Sequence, residues 1–139
     1  MKKISTTLLA LLISTPVLAL DINVNVSQIS SDKGGLVVQV YDSEDTWLSD
    51  DTVLSKRYEL QPGDSAKTVI IPIELEAGNY ALSVYHDEND NKKLDANFIG
   101  IPKEPVGLSN DHRPKFGPPK YRKAEIEVSE GTVIEIKMD

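Results

Sequence analysis

From Lys67 to Leu75 the apolar residues fall at every second position: Val69, Ile71, Ile73 and Leu75. A period of two puts them on one side of an extended chain, and a chain so patterned buries that side only as a strand in a sheet. The same alternation runs through Ile22, Val24 and Val26, through Tyr80, Leu82 and Val84, and through Ile134, Ile136 and Met138. Leu36–Tyr41 is nearly devoid of polar positions, which predicts a central strand, and Val53–Leu60 reads as a weaker one. Pro72 cannot donate to a ladder, so its strand belongs at an edge or is broken there. Turns rich in Gly, Asn, Asp and Ser separate the runs at Ser30–Gly35, Gln61–Asp64, Glu76–Asn79 and Ser129–Gly131. The last of these is short, so Ala124–Val128 and Thr132–Met138 are expected to pair as a hairpin. About seven short strands without a convincing amphipathic helix predict an all-β fold, an antiparallel β-sandwich.

The first nineteen residues stand apart. Lys2 and Lys3 precede the apolar run Leu8–Ile13, and Val17-Leu18-Ala19 has the small residues a signal peptidase reads. This is the pattern of a secretory signal peptide cleaved after Ala19, and the run is short of the roughly 20 residues that span a bilayer. Residues 20–139 then form a single domain with a periplasmic or extracellular destination. Loss of the two leader lysines takes the net charge from −7 to −9. Such a balance disfavours nucleic acid and anionic membrane surfaces, favours a monomer, and suits a cationic partner such as a metal ion. With no cysteine in the chain, no disulfide supports the fold.

Residues 78–95 combine a strand with a dense loop of oxygen-bearing side chains. Asp87, Asn89, Asn91, Lys93 and Asp95 occupy alternate positions, with Lys93 offering its backbone carbonyl. Hard cations such as Ca2+ take six to eight oxygens, and alternate residues of a tight loop can aim at one centre. The helix-loop-helix calcium pattern is departed from at Lys92, where it has glycine, and at Phe98, where it has a bidentate glutamate. A solvated turn whose Asp and Asn side chains bond their own backbone has the same composition. His86 and His112, with Asp87 or Asp111, are a second candidate, for a transition metal or acid/base site. No nucleophile motif or phosphate-binding glycine loop accompanies them.

Ala96–Arg122 has no sustained periodicity and holds five prolines, with Phe98, Ile99, Ile101, Leu108, Phe116 and Tyr121 as expected apolar anchors. Excursions of this length in a compact domain are usually functional or disordered. The prolines predict an ordered one, packed over a barrel end or a sheet face. It concentrates the basic residues of an acidic chain, and it could cover a sheet or form a groove for a peptide, glycan or small anion. Trp47, between acidic residues of Asp42–Asp51, is expected to fold back as a lid on the core.

The runs His86–Asp95, Asn97–Pro105 and Phe116–Pro119 resemble the bacterial domain-of-unknown-function 2141 family. The resemblance implies a small secreted β-sandwich of immunoglobulin-like or transthyretin-like character, with no activity attached. The readings for function are a non-enzymatic binding or accessory module with a calcium-stabilised loop, a metal-dependent enzyme using His86, Asp87 and His112, or an envelope protein that binds other protein.

Overall fold

A computed structural model describes residues 12–139, so the lysines and most of the apolar run of the expected leader lie outside the described residues. Eight strands follow in chain order: β1 (Ala19–Ser27), β2 (Gly35–Tyr41), β3 (Leu54–Glu59), β4 (Val69–Glu76), β5 (Gly78–Asp87), β6 (Val106–Leu108), β7 (Glu125–Val128) and β8 (Val133–Lys137). One sheet has the order β4-β1-β8, and the other runs β3-β2-β5 with β6 and β7 both pairing β5. The chain is therefore all-β and sandwich-like. Among the described residues no helix is long and apolar enough to cross a membrane.

The alternating residues meet between the sheets. Ile22, Val24 and Val26 of β1, Ile71 of β4 and Ile136 of β8 face Leu36, Val38 and Val40 of β2 and Leu82 and Val84 of β5, and all have lost their exposure to water. Among the described residues β4 pairs only with β1, so Pro72 sits on an edge, opposite Asn23. β2 lies between β3 and β5, as its lack of polar positions predicts.

Three expectations need correction. The last two strands do not form a hairpin: β7 runs antiparallel to β5, while β8 crosses to the other sheet and lies parallel to β1. Ser129–Gly131 is thus a connection between layers. Its shortness reflects how close the layers' edges come, and β8 makes the sandwich antiparallel except at one pair. Secondly, Trp47 lids a small cluster outside the main core. Its ring packs edge-on against Tyr41 and Tyr121, at centroid distances of 5.1 and 5.9 Å. Its Nε1 donates to the Pro119 carbonyl at 3.0 Å. Finally, of the expected anchors in the long excursion only Leu108 and Tyr121 are buried, and Phe98, Ile99, Ile101 and Phe116 face outward.

The excursion is ordered and lies on the outer face of the five-stranded sheet. β6 pairs Ser83–Tyr85, a 3-10 turn at Ser109–Asp111 follows, and one helical turn at Tyr121–Ala124 leads into β7. The buried Ser109 hydroxyl meets the chain at Leu82, where it accepts from the backbone N–H at 2.9 Å, and at the Ala124 carbonyl, to which it donates. This covering explains why β5 is buried on both faces from Tyr80 to Asp87.

Candidate functional site

The acidic loop leaves the end of β5 and is held by a residue on another strand. Arg57 of β3 reaches across β2 and its Nη1 donates to Asp87 Oδ2 at 2.7 Å. Gly35 stands in between. A Cβ there would lie 2.8 Å from the Arg57 Cζ, so the glycine leaves the lane the guanidinium occupies. Asp87, fully buried, also accepts from the backbone N–H groups of Asn91 at 3.1 Å and Lys92 at 3.0 Å. Burial alone would raise its pKa; the guanidinium and the two amides outweigh burial and hold the carboxyl below its ordinary range. The other arms of Arg57 take Asp90 at 2.6 Å and Glu59 at 2.5 Å. Glu59 foremost, and Asp87 after it, raise the guanidinium's pKa further against the opposing effect of burial.

At the far end Asp95 Oδ2 accepts from Asn89 Nδ2 and Asn91 Nδ2, each at 2.7 Å. Those two amides lower the Asp95 pKa. The Asn89 and Asn91 side-chain oxygens accept from the N–H groups of Asn91 at 3.2 Å and Lys93 at 3.1 Å. Asp95 also joins loop to excursion: its carbonyl accepts from Lys103 N–H at 2.8 Å, and its N–H donates to Glu104 at 3.1 Å. The five predicted residues thus share one loop but divide into two ends. Asp87 is committed to Arg57, whereas Asn89, Asn91 and Asp95 converge on a single oxygen, with Lys93 alongside through its N–H. Among the described residues no three carboxylate or imidazole side chains gather as a metal would need. In this arrangement the Asn89 and Asn91 amides present N–H groups to Asp95 and their oxygens to the backbone, so this end of the loop is satisfied from within.

The histidines are not brought together. His86 points inward from β5 and is fully buried. Its Nε2 donates to the Lys33 carbonyl at 2.7 Å, and its Nδ1 lies 3.2 Å from Ser30 Oγ. It therefore pins the β1–β2 turn to the strand end. Asp87 projects from the opposite face of the sheet, by the alternation of the strand. His112 lies in the excursion on that outer side and accepts from Lys120 N–H at 3.4 Å. The sheet itself stands between the two imidazoles.

The outer face also carries a groove of about 990 Å³. Gln39, Tyr41 and Ser83 form its floor, Leu94 and Ile99–Pro102 border one side, and Asp111–Pro114 and Gly117–Pro119 border another. Its size is that of ligand-binding clefts. Arg113 at its rim is neutralised by Asp111 at 3.1 Å and by Asp139. Arg57 and the floor residues went unrecognised in the sequence. The Gly34-Gly35 pair was the available signal, because a glycine inside a strand marks a close approach by another group.

A family model described as an uncharacterised protein conserved in bacteria (DUF2141) matches residues 24–136. Comparison with curated proteins gave no match, nor did comparison with solved structures.

Proposed function

Because the chain belongs to this family of uncharacterised bacterial proteins, which brings no activity with it, we propose a function from the site alone: a secreted, non-enzymatic binding module. The groove on the outer face of the five-stranded sheet carries this reading. It joins a mostly apolar lining to polar groups, Gln39 and Ser83 on the floor and His112 at the side, with Asp111, Arg113, Lys137 and Asp139 also on its lining, the make-up of a binding cleft. Ser83 and His112 both border it, but no hydrogen bond joins them, and the separation of His86 from His112 likewise favours binding over chemistry.

The acidic loop is the groove's hinge wall in this reading. It delivers Leu94 to the lining and, through Asp95, fastens the start of the excursion. Asp95, Asn89 and Asn91, with the Lys93 carbonyl, are the residues that would hold Ca2+, and a bound ion would stiffen that wall. The destination outside the cytoplasm rests on the leader pattern. Cleavage after Ala19 leaves Leu20–Ser27 to pair as β1, and intact mass of protein recovered from the periplasm tests it.

The groove is tested with an apolar fluorescent anion, anilinonaphthalene sulfonate. Wild type should bind it saturably at one site, and Gln39→Phe, which fills the floor, should abolish binding while the fold still melts cooperatively. Equal binding by both proteins would refute the groove as the site.

A further inference from the structure

Two phenylalanines stand out of the molecule where packing gives no reason for them. Phe98 is 99% exposed and Phe116 94%, with Ile99 and Ile101 more than half exposed beside the first. The Phe98 turn is closed rigidly. Asn97 Oδ1 accepts from the N–H groups of Ile99 at 3.0 Å and Ile101 at 2.9 Å, Asn97 N–H donates to the Ile101 carbonyl at 2.8 Å, and Ala96 bridges Pro102. The ring is thus held outward by its own turn. Phe116 projects from the segment bordering another side of the same groove, so the exposed apolar residues lie on either side of one opening.

Charge is distributed unevenly along the chain that carries these tips. From Phe98 to Lys123 the chain has Lys103, Arg113, Lys115, Lys120, Arg122 and Lys123 against Glu104 and Asp111; Arg113 is neutralised by Asp111 and Asp139, and Arg122 lies 3.8 Å from Glu44, so the lysines carry the segment's attraction. The remainder of residues 20–139 holds seven basic and twenty acidic residues. The net negative charge therefore conceals a basic, aromatic-tipped segment. Aromatic rings partition into the boundary between headgroups and acyl chains, and nearby lysines are drawn to anionic headgroups. The acidic Asp42–Asp51 loop also reaches the groove, through Leu48. Its repulsion is screened over about 8 Å at physiological ionic strength, so the attraction acts locally at the tips.

We propose that the segment from Phe98 to Lys123 docks on the surface of an anionic phospholipid bilayer, with Phe98 and Phe116 as the inserting side chains. Protruding rings suit a fluid partner that deforms around them. The proposal does not depend on what fills the groove.

Co-sedimentation of the purified mature domain with vesicles tests it. Wild type should bind vesicles of phosphatidylcholine mixed with phosphatidylglycerol, bind pure phosphatidylcholine far less, and release as salt rises. Phe98→Ser with Phe116→Ser should weaken binding by about 10-fold or more, from the apolar area lost. Lys103→Glu with Lys115→Glu should weaken it and flatten its salt dependence. All four side chains are exposed, so the melting temperatures should hold. Gln39→Phe should lose the fluorescent anion and keep the vesicles, which separates this surface from the groove. The proposal is overturned if wild type ignores anionic vesicles, if the phenylalanine variant binds them like wild type, or if Gln39→Phe loses them. It is likewise overturned if sedimentation equilibrium shows a dimer that the phenylalanine variant abolishes and vesicles do not compete for, since a second copy would then be the partner.

Discussion

Replacing Arg57 by glutamine should destabilise the domain by about 2–3 kcal/mol at neutral pH. Arg57 Nη1 lies 2.7 Å from Asp87 Oδ2, and the Asp87 side chain has no exposure to water while the Arg57 side chain retains 19%. Breaking a fully buried pair by removing one partner costs about 3–5 kcal/mol, because the remaining charge is stranded. Here Asp87 keeps two backbone N–H donors, and water can reach the vacated rim, so the cost falls at or just below the bottom of that range. For a domain of this size the loss lowers the melting temperature by roughly 8–12 °C. The cost must also depend on pH. The folded-state pKa of Asp87 lies below its ordinary value of about 3.9, so the stabilisation is fully present above that value and is lost as pH falls through the folded pKa. Removing Arg57 removes part of that stabilisation, so wild type and variant should converge in acid. Asp87→Asn in the Arg57→Gln background should recover much of the neutral-pH loss, since no charge is then left buried. Urea melts of the three proteins from neutral pH down to about pH 3 decide the matter. A single variant within about 0.5 kcal/mol of wild type, or a deficit as large in acid as at neutrality, would show that Arg57 does not hold the loop.

Calcium at about 2 mM should raise the melting temperature by about 7 °C if the loop binds with a dissociation constant near 10⁻⁴ M. Asp95→Ala should erase that rise, magnesium should produce less of it, and a shift no larger than sodium chloride gives at equal ionic strength would remove the cation from the reading. Ile134→Ala should cost about 2–5 kcal/mol because the side chain is buried between the sheets, and Glu135→Ala under about 1 kcal/mol because it faces out and accepts only from Asn25; urea melts that reverse the order would place β8 in the wrong register. Gly34→Ala should prevent stable folding, since Gly34 has φ of +66° and an added Cβ would sit 1.9 Å from the Asp87 carbonyl oxygen; a cooperative melt near that of wild type would contradict it.

What could be read from the chain was local in origin. Whether Ile71 or Ile70 faces the core follows from the alternation of Cβ atoms along a strand, which needs no knowledge of the partner. The inward placement of His86, the edge position of Pro72 and the family all came from such local patterns. Composition likewise marked Asp87–Asp95 as one loop. What could not be read depends on pairing between distant segments. β7 and β8 have the same alternation whether they pair with each other or cross between layers, and only the filled edges of β5 and β1 separate the two outcomes. Arg57 and Asp87 meet across β2, in a lane that Gly35 keeps open, and no spacing along the chain encodes that contact. Phe98 and Phe116 were read as anchors because apolar residues are usually buried. Phe98 faces outward because the turn built on Asn97 is closed by its own hydrogen bonds and points the ring away from the sheet, whereas Tyr121 and Trp47 take the apolar site beside Tyr41.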